Sequence, residues 1–187
     1  MSELIIIKKI PKGDKYIPPD WIKKFYDSCE DVGDKTYLMY HIETGLRVSD
    51  VVNTEIVHID FLECRTYTYD HKKDTWRYIY FPDSVKYQIK QWLKIRQNLN
   101  IKDKRLFPFS AKTANRILKK IAKKINFSYY KEISSHWCRH TYIRNSRAMG
   151  RDIKAVQQNT GDTVKTLLDW YSDLSKEQLR KEANLGV

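Results

Sequence analysis

Glu55-IVHIDFLECRTYTYDHKKDTWRYIYF-Pro82 is the stretch that decides the fold class. Ile56, Val57 and Ile59 form a first run of β-branched side chains. Thr66-Tyr67-Thr68-Tyr69 form a second, and Trp76-Arg77-Tyr78-Ile79-Tyr80-Phe81 a third. Such residues fit a pleated, half-buried surface better than a helix. His71-Lys72-Lys73-Asp74-Thr75 is a polar turn between the second and third runs, and Pro82 ends the segment. The stretch predicts a three-stranded antiparallel meander.

On either side the apolar period changes to that of helices. Pro19-Asp20 starts one, with Trp21, Phe25 and Tyr26 spaced along it to about Cys29. A second runs from about Lys35 to Glu43 and stops at Thr44-Gly45, and a third from Val48-Ser49 to about Asn53. Beyond the meander, helices are predicted over 84–97, 113–125, 152–158 and 163–171. Another, capped by Ser134 or Ser135, runs through Met149 to Gly150. The fold class is therefore α+β: mostly helical, with one small three-stranded antiparallel sheet. Residues 1–14 are a lead-in, 15–174 the main domain, and 175–187 a charged tail with a helix over Ser175–Asn184.

The chain has 187 residues, 35 Lys+Arg against 23 Asp+Glu, and a formal net charge of +12. That length suits one domain with a core of its own. Excess positive charge on such a core points to a polyanionic partner, most often nucleic acid. No apolar run approaches the ~18 residues of a membrane span, and no secretory signal is visible, so a cytoplasmic protein is expected. Cys29, Cys64 and Cys138 are odd in number and widely spaced. They make neither a disulfide framework nor a zinc site.

Three features carry chemistry. In Thr44-Gly45-Leu46-Arg47-Val48-Ser49-Asp50 a glycine ends one helix just before an arginine begins the next. An arginine there projects toward an anion beside free backbone N–H groups; the plainer reading is a surface arginine after a turn. In His136-Trp137-Cys138-Arg139-His140, His136 and Arg139 share a helix face, a pairing suited to phosphate. The plainer reading is a basic face lying on a DNA backbone or on solvent. His136 and His140 at i, i+4 lack the intervening glutamate of a zinc helix. Third, Tyr171 lies near a helix end, where most tyrosines only pack.

Taken in order, these motifs resemble the catalytic domain of the tyrosine recombinase (phage integrase) family over about residues 15–180. That family shows an arginine after a Thr-Gly-Leu-type turn, a His-x-x-Arg helix, a Gly-His step and a nucleophilic tyrosine. The resemblance implies a site-specific recombinase or integrase that cuts and rejoins double-stranded DNA through a 3′-phosphotyrosine, needs no cofactor or metal, and self-associates on DNA. It makes Arg47 and Arg139 the phosphate clamp, His136 the proton-transfer residue, Tyr171 the nucleophile and Asp50 a support behind Arg47. A lysine on the hairpin protonates the leaving oxygen, and Lys72 and Lys73 both fit. Where the family usually has His or Trp, this chain has Asp162, an acceptor that cannot donate to phosphate unless protonated. Lys119, Lys120, Lys123 and Lys124, opposite Ile117, Leu118 and Ile121, are candidate DNA-backbone contacts together with Arg144 and Arg147. The alternatives are a type IB topoisomerase-like or telomere-resolvase activity with the same chemistry, and an idle DNA-binding module. Family members usually carry an additional N-terminal helical domain, so a fragment or a minimal enzyme is expected.

Overall fold

The structure is a computed structural model whose described part is residues 15–70 and 74–171, less the side chains of Trp170 and Tyr171. The lead-in 1–14, Lys72, Lys73 and the tail 175–187 lie outside the described residues.

Helix α2 (Val32–Thr44) is the centre of the molecule, buried on nearly every face through Thr36, Tyr37, Leu38, Tyr40, His41 and Ile42. It begins a turn earlier than the sequence predicts. Asp31 accepts from the Asp34 amide as its N-cap, and Gly33 lies in the first turn because a Cβ there would stand 2.8 Å from the Trp92 ring. Around α2 lie α1 (Pro19–Asp27), α3 (Val48–Asn53), α4 (Asp83–Asn98) and α6 (Ser135–Ala148). Helix α5 (Ala111–Lys124) buries Ala114, Leu118, Ile121 and Ala122 and turns its lysines outward.

The meander forms as β1 (Ile59–Asp60), β2 (Arg65–Asp70) and β3 (Thr75–Tyr80), in the antiparallel order β1-β2-β3. Ile56 and Val57 depart from the prediction: they sit in a short 3-10 turn, Ile56–His58. The backbone of Thr54 and Ile56 pairs with a distant segment instead, Ile56 N donating to the Lys104 carbonyl at 3.0 Å and Leu106 N to the Thr54 carbonyl at 2.7 Å. Thr66 pairs with Ile79 on the buried face of the sheet, while Tyr67 pairs with Tyr78 and Tyr69 with Trp76 on the outer face.

The outer edge of β3 is covered by α7 (Ile153–Thr160). Asn159 accepts from Tyr80 N at 3.2 Å and donates to the Tyr80 carbonyl at 2.9 Å, and Gln158 donates to the Tyr78 carbonyl at 3.1 Å. These side chains take the place of a neighbouring strand, which removes an open edge. Helix α8 (Val164–Tyr171) is held through Leu167, which joins Tyr142, Ile143 and Val156 in a small second cluster between α6, α7 and α8. No helix among the described residues is long and apolar enough to cross a membrane.

Candidate functional site

The turn that ends α2 builds the first wall of the site. Thr44 Oγ1 donates to the Tyr40 carbonyl, and Gly45 takes a left-handed φ of 66° as the cap. A Cβ at Gly45 would lie 2.3 Å from Tyr142 Cδ1, so both the conformation and the contact call for glycine. Arg47 follows as the residue preceding α3, with its side chain 39% exposed. Asp50 sits in the first turn of α3, its amide bonded to the Arg47 carbonyl at 2.9 Å and its carboxylate accepting from Ser49.

Helix α6 supplies the second wall. Ser134 precedes it but makes no side-chain cap; Asn115 of α5 does that work, accepting from the Ser135 amide at 2.8 Å. His136 lies in the first turn and is exposed, its ring 6.4 Å from that of His140. Arg139, one turn on, is buried. It donates through Nη1 to the Gly45 carbonyl at 2.7 Å and through Nη2 to the Thr160 carbonyl at 2.8 Å. Burial pushes the Arg139 pKa down and Asp162 pushes it back up, so the group stays charged.

The third wall is the turn after α7. Gly161, at φ 70°, ends the helix and delivers Asp162 between the two arginines. Asp162 Oδ2 lies 2.6 Å from Arg139 Nη2, and Oδ1 lies 3.2 Å from Arg47 Nη2. One carboxylate thus bridges guanidiniums from two separate elements, the turn before α3 and helix α6. Asp162, where the resemblance implies a donor, is an acceptor and accepts from both arginines.

Arg77, which the sequence reading passed over, is a third guanidinium in this neighbourhood. It points inward from β3, and Nη1 donates to the Gln158 and Asn159 carbonyls, each at 2.7 Å. Its Nε faces Asp70 at 4.0 Å. Burial lowers its pKa, which Asp50 and Asp70 oppose and Arg139 and Arg47 reinforce. The one signal in the sequence was its position on the inward register of a strand, where a solvated arginine does not belong. Below the Gly45 turn lies His41, fully buried, with Nδ1 3.0 Å from the Tyr37 hydroxyl. Burial pushes the His41 pKa down to about 3, which leaves the ring neutral.

Tyr171 is the last residue of α8, and its side chain lies outside the described residues, as do Lys72 and Lys73. The described ends of the hairpin, Asp70 and Thr75, are a cross-strand pair. Lys119, Lys120 and Lys123 are exposed on α5. Lys124 is tied to Glu30 at 2.6 Å and to the Ser28 carbonyl at 3.0 Å. Arg144 stacks over the Tyr16 ring at 4.3 Å, and Arg147 is half-buried in the last turn of α6.

One carboxylate thus closes a guanidinium pair, Arg139 buried and Arg47 part-exposed, on a basic chain. Residues 15–178 match the phage integrase family. The chain belongs to that family. Tyrosine recombinase XerA of Pyrococcus horikoshii is 26% identical over 184 residues, covering 92% of this chain and 62% of that protein. The crystal structure of XerA recombinase gives a TM-score of 0.79 at 23% identity, covering 91% of this chain and 64% of that one. A XerH site-specific recombinase bound to its difH substrate gives a TM-score of 0.71 at 18% identity, over 96% of this chain and 55% of that one. This integrase-family chain spans less than two thirds of each of these proteins. Its α+β architecture is that of their tyrosine recombinase catalytic domains.

Proposed function

We propose that this integrase-family chain is the catalytic domain of a site-specific DNA recombinase, spanning 15–174, that cuts and rejoins double-stranded DNA through a 3′-phosphotyrosine. The observation that carries the reading is the convergence of Arg47 and Arg139 on a single carboxylate, at the spacing of a two-oxygen anion. A phosphodiester offers two non-bridging oxygens, and a pair of fixed guanidiniums matches them in charge and geometry. His136, exposed in the first turn of α6, suits the proton transfer, taking the phenolic proton as Tyr171 attacks. Tyr171 attacks the phosphorus, the 5′-oxygen leaves with a proton from Lys72 or Lys73, and Asp50 steadies the arginines from behind. The phosphotyrosyl bond keeps the energy of the broken diester, so religation needs no ATP. The arginines stabilise the transition-state charge without a metal.

Lys119, Lys120 and Lys123 on the outer face of α5 suit contacts to the DNA backbone, with Arg144 and Arg147 contributing from α6 and Lys124 tethered to Glu30. Recombination further implies assembly of several copies on DNA, and a site of action in the cytoplasm, at the nucleoid or on a viral genome.

The test is covalent capture on a nicked suicide duplex carrying the attachment site. The wild-type chain forms an adduct that survives denaturation and EDTA, and Tyr171→Phe forms none. An adduct with Tyr171→Phe, or one abolished by EDTA and restored by magnesium, sinks the mechanism. Binding without any adduct from the wild-type chain favours an idle DNA-binding module.

A further inference from the structure

We propose that Asp162 and the substrate phosphate compete for the same two guanidiniums, so that DNA binding exchanges one anion for the other and Asp162 sets the affinity of the clamp. The inference rests on the phosphate-clamp reading of Arg47 and Arg139. Its geometric basis is separate: Asp162 spends both carboxylate oxygens on the edges that face each other, Oδ1 at 3.2 Å from Arg47 and Oδ2 at 2.6 Å from Arg139. A phosphate bridging those two groups needs the same edges. A donor at this position would add a hydrogen bond to the incoming phosphate, whereas a carboxylate repels it.

The surroundings explain how the exchange takes place without dismantling the site. Arg139 is anchored independently of Asp162, by the Gly45 and Thr160 carbonyls at 2.7 and 2.8 Å. The backbone around Asp162 is anchored as well, by the αL turn at Gly161 and by the Asp162 amide donating to Thr160 Oγ1 at 3.3 Å. Only the carboxylate has to rotate away. Arg47, 39% exposed, is the looser partner and lies on the solvent side from which an anion arrives. Asp162 also supplies the buried Arg139 with the counterion that a guanidinium at this depth requires. Its position is therefore specific to anion handling: the acid neutralises the clamp and then yields it.

The experiment titrates the full chain with orthophosphate by calorimetry at low ionic strength, so no attachment site is needed. Wild type is compared with Asp162→Asn and Asp162→Ser. Two like charges about 4 Å apart repel in water, and more strongly at a protein surface. Each variant is therefore expected to bind orthophosphate about tenfold tighter or better. Arg139→Ala, the control, loses that binding. A residue with a purely structural role would weaken binding or leave it unchanged when replaced. Should a variant fold poorly, crystals of the wild-type chain soaked in orthovanadate give the second measurement. There the Asp162 carboxylate is expected more than hydrogen-bond distance from both arginines, with vanadate between them. Unchanged or weaker phosphate binding in folded variants, or vanadate seated beside an unmoved Asp162, overturns the exchange. Failure of the recombinase reading looks different, because it removes the covalent adduct while leaving the phosphate titration as described.

Discussion

Replacing Arg77 by methionine tests how the hairpin is tied to the site. The guanidinium makes charge-assisted bonds of 2.7 Å to the Gln158 and Asn159 carbonyls, at the C-terminal end of α7, where a helix presents free carbonyls and negative dipole. Hydrogen bonds from charged groups contribute about 1.5–3 kcal/mol each. Two of them set an upper figure of about 3–6 kcal/mol. The Gln158 carbonyl lies on the exposed side of the contact, where water replaces part of its bond. Methionine recovers the packing of the arginine stem and avoids its desolvation. The net loss is then about 2–4 kcal/mol, within the range of a broken buried network. For a chain of this size that corresponds to a fall in Tm of about 5–15 °C. Circular dichroism melts of wild type, Arg77→Met and Arg77→Lys measure it, with the lysine falling between the other two because one ammonium cannot fork to two carbonyls. A drop in Tm below about 2 °C for Arg77→Met refutes the reasoning. So does a lysine variant as stable as wild type.

Two further tests address the turn and the buried histidines. Gly45→Ala pays about 1–2 kcal/mol for its left-handed backbone and about 1–3 more to displace Tyr142, whereas Gly150→Ala, with the same φ of 66° but open space around it, pays only the first. Equal shifts of the urea midpoint in the two variants would dismiss the Tyr142 contact. The His41 pKa is held down to about 3 and the His140 pKa to about 4, both chiefly by burial. The unfolded chain takes up protons near the usual histidine pKa while the folded chain does not, so stability falls as pH drops below about 6.5. At pH 5, His41 alone removes about 2 kcal/mol. Glu43 and Asp34, both raised by burial, act in the opposite sense. Comparing wild type with His41→Gln by denaturant titration at pH 7 and 5 isolates the histidine, and identical pH slopes would count against it.

Local signals in the sequence marked the elements well wherever local chemistry decides them. Helix α3 appears over Val48–Asn53 as read, because the Gly45 stop and the Asn53 end are both near-neighbour effects. The strands follow their β-branched and aromatic runs. The misreadings each have a distant partner behind them. Helix α2, expected from about Lys35, starts at Val32, with Gly33 of its first turn against the Trp92 ring of α4. Ile56 and Val57 look like a strand until the 104–106 segment bonds to the backbone of Thr54 and Ile56. Ser134 looks like a cap, but Asn115 does that work. The candidate site divides the same way. Arg47 and Arg139, which meet at Asp162, follow from motif spacing, and Asp162 from its departure from the family pattern. What Asp162 does was not legible, because its contact with Arg47 joins residues on separate elements far apart in the chain. Arg77 was hidden by its strand, whose alternation reveals the inward register only once the sheet has a buried face.

The same logic sorts the +12 charge of the chain. Among the described residues the buried cations are arginines, and backbone carbonyls orient them. Arg96 donates to the Leu106 carbonyl at 3.2 Å and to that of Asp103, Arg139 to those of Gly45 and Thr160, and Arg77 to those of Gln158 and Asn159. A planar fork can satisfy several carbonyls at once and remain charged, which an ammonium does poorly. The lysines of α5 stay outside, where they keep their hydration and add to the field that attracts a polyanion. This division bears on the clamp. Because Arg139 is fixed by carbonyls rather than by its carboxylate partner, an anion that replaces Asp162 meets a donor already aimed, and little ordering remains to oppose binding. An arginine oriented by Asp162 alone would lose its direction at the moment of exchange. The two carbonyl bonds of Arg139 are what allow an acid to sit in the clamp and still be displaced.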